Sequence, residues 1–267
     1  MILYPRARSC KIAAFRQSGF LLALLLALDL FAFGQTPVPA RPASLTAPPM
    51  TLSQVVDALI ARNAQRAKDL QSYQGRRVYT LVYRGFPSDL HASIVVDMTY
   101  EAPNTKQFQV VSQSGPKFLV DRVLKRLVKT EIDAQREKIR RTVNLDRQNY
   151  NFSDLNYEPA ADGCSYIVSV EPKHPNKYLY RGKIWINDQD FAVCHIQAQP
   201  AKDPSFWIRS TSIAETYETI GKFWLPENNK SVSKIRFGGS ATLTIQYQDY
   251  RLLRRPASVQ ASLLPAE

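Results

Sequence analysis

Between Tyr79 and Arg251 apolar side chains recur at every second residue in one segment after another. That period admits few folds other than an antiparallel sheet with one dry face and one wet face. Tyr79, Leu81 and Tyr83 alternate in a first strand, and Ile94, Val96, Met98 and Tyr100 in a second, with Ser93, Asp97 and Thr99 turned outward. A third spans Thr105 to Gln113, entered through Pro103-Asn104. After Asn149-Tyr150-Asn151-Phe152 the strands resume over Cys164–Glu171, Tyr178–Asn187, Phe191–Gln199, Ile208–Ile220, Phe223–Val232 and Ala241–Arg251. Turns are marked by Asn187-Asp188-Gln189-Asp190, Asp203-Pro204-Ser205, Gly221 and Gly238-Gly239. In the last strand Ala241, Leu243, Ile245 and Tyr247 share one face, and Thr242, Thr244, Gln246 and Gln248 the other.

Two segments follow the helical period instead. Thr51, with Gln54 three residues on, makes a capping box, and Leu52, Val55, Val56, Leu59, Asn63, Ala67 and Leu70 then recur on one face of a helix ending near Ser72. Between Pro116 and Arg141, Val120, Val123, Leu124, Leu127, Glu131, Ile132 and Ile139 fall on or near one stripe. The rest of that segment is charged and mostly basic. A basic amphipathic helix either lies on an anionic membrane or packs on the sheet as a solvated cover. Lys125, Arg126 and Lys129 are the candidate membrane-contact residues.

The N-terminus bears on the compartment. Arg6, Arg8, Lys11 and Arg16 precede an apolar run from Gly19 to Phe33, closed by Ala32-Phe33-Gly34. This is the layout of a secretory signal, with cleavage expected between Gly34 and Gln35 and delivery to the periplasm. The run is shorter than the ~20 residues a spanning helix needs, and Asp29 interrupts it. Residues 35–50 hold five prolines and read as a tether, 51–253 as one folded domain and 254–267 as a loose tail. Removing 1–34 lowers the net charge from +12 to +9. An exported protein seldom meets nucleic acid, so the charge either suits anionic lipid headgroups and polyanionic envelope polymers or only keeps the protein soluble.

Two cysteines, Cys164 and Cys194, remain beyond residue 34. An oxidising compartment permits a bridge, but on strands flanking a common neighbour they would stand roughly 9–10 Å apart, which favours two free thiols. Recognisable catalytic chemistry is lacking. There is no G-x-S-x-G elbow, phosphate loop, H-E-x-x-H helix or dinucleotide fingerprint. His195 follows Cys194 directly, and neighbours on a strand face opposite ways, so the two are not a nucleophile–base pair. The expectation is a non-enzymatic protein with no cofactor and no metal. One sheet with two helices leaves a concave apolar face only partly filled, which is the form of a binding cavity.

The stretch Tyr180-Arg181-Gly182-Lys183-Ile184-Trp185-Ile186-Asn187-Asp188-Gln189-Asp190-Phe191-Ala192-Val193 resembles a signature of the LolA-like outer membrane lipoprotein-sorting family. So do Pro200-Ala201-Lys202-Asp203-Pro204-Ser205-Phe206-Trp207, Phe223-Trp224-Leu225-Pro226 and Leu243-Thr244-Ile245-Gln246-Tyr247. Asp121-Arg122-Val123-Leu124 and Asn149-Tyr150 fit a divergent branch of it. The resemblance implies a mainly β protein with helices (α+β), an incomplete antiparallel β-barrel whose hydrophobic concave face lies under a helical lid. It further implies a periplasmic carrier of lipid or acylated lipoprotein, or, through the related RseB/MucB fold, an envelope-stress sensor or scaffold that binds a protein. On the carrier reading Ile94, Val96, Met98, Tyr100, Leu243, Ile245 and Tyr247 share the apolar parity of their strands and line the lipid site.

Overall fold

The computed structural model describes residues 48–103, 105–134, 139, 141–202, 206–236 and 238–253. The expected signal segment, residues 35–47 of the tether and the tail from 254 lie outside the described residues. So do Asn104, Asp203-Pro204-Ser205, and Arg136, Lys138 and Arg140 of the basic segment.

Helix α1 (Leu52–Asp69) opens on the expected capping box: Thr51 accepts from the Gln54 amide, and Gln54 Oε1 accepts from the Thr51 amide at 2.9 Å. Three strands follow, β1 (Ser72–Arg84), β2 (Leu90–Glu101) and β3 (Thr105–Ser114). The basic segment is helical: α2 (Lys117–Leu119), a π-helical stretch at Val120–Leu124, and α3 (Lys125–Ala134). Seven more strands complete the chain: β4 (Tyr150–Tyr157), β5 (Tyr166–Pro172), β6 (Tyr180–Ile186), β7 (Val193–Pro200), β8 (Ile208–Ile220), β9 (Phe223–Ile235) and β10 (Ser240–Leu252).

All ten strands pair antiparallel in the order β3-β2-β1-β10-β9-β8-β7-β6-β5-β4, an open half-barrel that does not close. The strands at its two edges, β3 and β4, are consecutive in the chain. The segment joining them must therefore cross from one edge of the sheet to the other, and α2–α3 occupies that crossing. Leu119, Val120, Leu124 and Val128 of this segment pack on Tyr79, Leu81, Ala92, Ile94, Val96 and Ile245 of β1, β2 and β10. Helix α1 covers the other half: its Val55 and Leu59 join Tyr150, Tyr166, Val168, Val170, Ile184, Ile186 and Ile196. Two helical elements thus share one concave face, each with its own apolar cluster.

Three expectations need correction. Helix α1 ends at Asp69, not near Ser72, and β1 begins before Gly75. Strand β4 is absent from the alternating segments of the sequence. Its inward side chains are Tyr150, Phe152, Leu155 and Tyr157, whose spacing of two, three and two hides the period. The extra residue is a bulge at Ser153/Asn156, where Asp154 adopts φ 52°.

Cys164 and Cys194 form a disulfide, with Cα atoms 6.2 Å apart. Cys164 does not stand on β5, which begins at Tyr166, but on the preceding turn. Cys194 is an extra residue in β7: Trp185 pairs with His195 and Ile186 with Val193, leaving Cys194 without a partner in the ladder. A bulge breaks strict alternation, and Cys194 and His195 consequently line the same depression, with Cys164 and Trp185. The rule that neighbours face opposite ways fails at this bulge.

Candidate ligand-binding site on the concave face

Strand register lays one continuous row across the sheet: Val168, Ile184, Ile196, Glu215, Asn229, Ile245, Tyr79, Ile94. Its two ends are apolar and covered, the first by α1 and the last by α2–α3. The middle is a polar pair on β8 and β9. A parallel row runs through Ala198, Ile213, Ser231, Leu243, Leu81 and Ala92. Strand β8 holds no fully buried residue in its 13. Ile213, Glu215, Tyr217, Asn229, Ser231 and Leu243 are all half-buried, forming a strip between the two covers.

Glu215 is the most constrained group on this strip. Asn229 donates to its carboxyl at 3.2 Å. Burial pushes the carboxyl above the usual range, and the hydrogen bonds of Asn229 and Tyr217 only partly offset this. Burial likewise drives the phenols of Tyr180, Tyr217 and Tyr247 well up, so this floor presents neutral hydroxyls.

Under α3 lies a second polar group. Glu131 accepts from Arg77 and from the Tyr79 hydroxyl, the latter at 3.0 Å, and Lys106 stands 4.0 Å away. Arg77 is buried between the rings of Tyr247, 4.9 Å from its guanidinium carbon, and Phe108, at 5.2 Å. Its Nε has no hydrogen-bond partner among the described residues. Burial opposes ionisation of Glu131, but Arg77, Lys106 and the hydrogen bonds of Arg77 and Tyr79 outweigh it and hold the carboxyl below the usual range. This ion pair joins helix to sheet through the apolar cluster.

The structure divides the seven expected lining residues. Ile94 and Val96 are completely buried against α2–α3, and Ile245 nearly so. Met98 lies in a separate cluster with Tyr73, Phe223 and Leu225, and Tyr100 packs at its margin. Leu243 and Tyr247 are half-buried. Lys125, Arg126 and Lys129 are exposed on the opposite side of the helix, Lys125 paired with Asp121 at 2.8 Å.

Sequence reasoning missed Glu215, Asn229, Arg77 and Lys106. A signal was present for two of them: Glu215 shares the parity of Ile213 and Tyr217, and Arg77 that of Tyr79 and Leu81, so each is a charge on an inward position. Among the described residues no group of His, Cys, Asp and Glu is arranged to hold a metal, and no helix is long and apolar enough to cross a membrane.

No protein-family model matches the sequence, and no curated protein does. Solved structures align with the chain at low identity and low TM-score. A DUF1329 family protein from Desulfovibrio piger is 13% identical at TM-score 0.39, over 75% of this chain and 92% of that one. A LolA superfamily protein from Nitrosomonas europaea is 12% identical at TM-score 0.33, over 78% and 96%. MucB is 11% identical at TM-score 0.25, over 72% and 92%.

Proposed function

We propose that this chain is an exported periplasmic carrier that holds the acyl chain of a lipid or acylated lipoprotein on the concave face of its half-barrel. On this reading residues 1–34 are the signal, 35–50 a tether, 51–253 the carrier domain and 254–267 a tail. The observation that carries the proposal is the half-buried strip on β8–β10 between two separately packed helical covers. A sheet built only for stability would bury that strip beneath a continuous layer. On this reading Leu243 and Tyr247 meet the acyl chain directly, while Ile94, Val96 and Ile245 lie beneath α2–α3 and Met98 and Tyr100 in a neighbouring cluster, so these five meet it only when the cover shifts. Each methylene transferred from water to such a face contributes about 0.8 kcal/mol, so an acyl chain gains several kcal/mol even after ordering costs. The Glu215–Asn229 pair then meets the ligand's polar group at the centre of the row. The α2–α3 crossing supplies the cover, held to the sheet by its apolar cluster and by the pairing of Glu131 with Arg77 and Lys106.

Native mass spectrometry of protein purified from envelopes, with lipid extraction, tests this, alongside uptake of a fluorescent acyl probe. Lipid-free protein that takes up no probe would refute the carrier reading. A sensor or scaffold role is the second reading, favoured by the edge strand β3, whose Val110 and Val111 are 49% and 51% exposed. An open edge accepts an added strand from a partner. Capture of one protein by lipid-free material, lost on placing proline in β3, would favour it.

A further inference from the structure

We propose that the outer face of α2–α3 docks on an anionic lipid bilayer, with Phe118 and Ile132 entering the headgroup boundary and Arg122, Lys125, Arg126 and Lys129 meeting the phosphates. In α3 Lys125, Lys129 and Ile132 are spaced four and three residues apart on one face, and Phe118 and Arg122 of the preceding turns are exposed as they are. All are exposed, Phe118 by 53% and Ile132 by 44%. The face opposite carries Val120, Leu124 and Val128 into the sheet, so the orientation of the helix is set and the outer stripe cannot turn inward.

A helix that merely shielded the sheet would have no reason to hold an aromatic and an isoleucine in water at both ends of a cationic cluster. At 1.5 Å per residue those two side chains stand roughly 20 Å apart along the axis, a footprint suited to a flat surface. Among the described residues the anionic groups on this side are Asp121, paired with Lys125 at 2.8 Å, and Asp133 near the end of α3. They leave the basic residues in excess. A soluble polyanion would satisfy these cations but leave Phe118 and Ile132 wet, whereas a bilayer satisfies both. Because the docking helix is also one of the two covers over the concave face, lipid would contact a segment that borders the half-buried strip. This surface goes beyond the carrier reading and does not depend on it, since probe uptake in solution and vesicle docking are separate measurements.

The experiment is co-sedimentation of the purified protein with phosphatidylglycerol–phosphatidylcholine vesicles and with pure phosphatidylcholine vesicles. Binding is expected to the first only, and to vanish as salt is raised to about 1 M, where the screening length is near 3 Å. The combined variant Lys125→Glu, Arg126→Glu, Lys129→Glu should lower the partition coefficient by about a hundredfold or more. Phe118→Ser with Ile132→Ser should lower it about tenfold while leaving melting unchanged, because both residues are exposed. Absence of binding to the anionic vesicles at low salt would overturn the proposal. So would full retention by the Phe118→Ser, Ile132→Ser variant together with displacement of the protein by soluble polyglutamate, since the patch would then read charge alone.

Discussion

Asn229 donates to Glu215 at 3.2 Å in the middle of a row that is otherwise aliphatic or aromatic from Val168 to Ile94. A hydrogen-bonded polar pair in that position costs stability unless it is used, because a leucine pair would bury the same area without desolvating a carboxyl.

The cost has a pH signature. Burial raises the Glu215 carboxyl above its unfolded value. Between the unfolded and folded values the native state holds a proton that the unfolded state has lost, so stability falls as pH rises through that window. Glu215→Gln removes the penalty. Its melting temperature should exceed that of the wild type at neutral pH, and the difference should disappear below about pH 4, where both states are protonated. Equal melting curves at neutral pH would mean that Glu215 is solvated.

Glu131 should show the reverse slope. Its carboxyl is held down, against burial, by Arg77 and Lys106. Its contribution is present above the ordinary carboxylate range and is lost as pH falls through the folded value. Removing it leaves Arg77 buried between two rings with its main partner gone. Glu131→Ala is expected to cost about 3–5 kcal/mol in denaturant unfolding at neutral pH. Tyr79→Phe, which removes one hydrogen bond to the same carboxyl, should cost about 1 kcal/mol. A Glu131→Ala loss no larger than that of Tyr79→Phe would mean that the ion pair is water-exposed.

The Cys164–Cys194 bridge closes a separation of 30 residues that includes β5 and β6. In the chain-entropy account such a loop contributes about 3–4 kcal/mol. Cys194→Ser should lower stability by that order, and labelling of denatured, unreduced envelope-derived protein should find neither residue reactive. Two labelled thiols would rule out the bridge.

The cysteines also mark where the sequence stops being readable. Alternation located nine of the ten strands, all but β4, and Ser240–Leu252 almost to the residue, because nothing interrupts Ala241, Leu243, Ile245 and Tyr247. Prediction failed where a bulge inserts one residue. At Ser153/Asn156 the bulge concealed β4, and at Cys194 it reversed the direction of a side chain on which both the disulfide and the His195 argument depended. A bulge is fixed by its partner strand, and no local pattern records it. Of the half-buried residues on the concave face, Leu243 and Tyr247 were legible for the same reason the strands were. The polar pairs were not, since the meeting of Arg77 with Glu131, 54 residues apart, and of Glu215 with Asn229 depends on register and on the α2–α3 crossing. The spacing of β3 and β4 in the sequence gives no hint that they lie at opposite edges.

The apolar face provides the sharpest separation between a carrier and a packed core. Ile94 has no exposure and sits beneath α2–α3 among residues that cannot collapse freely. Ile94→Ala should cost about 2–5 kcal/mol, whichever reading of function holds. Leu243 is half-buried in the row that also holds Ile213 and Ser231, where one side of each side chain is open. Shortening Leu243 to alanine should therefore cost less than about 1 kcal/mol, and Leu243→Asn should fold, because its amide can reach water. If acyl chains lie along this strip, the asparagine places an amide against them, and uptake of a fluorescent acyl probe should fall about tenfold or more while melting hardly changes. Tyr247→Ser should act in the same direction, with a larger loss of stability because Arg77 packs against that ring. A Leu243→Asn protein that melts as the wild type does and takes up probe equally well would place the ligand elsewhere. One that unfolds would make the strip ordinary core.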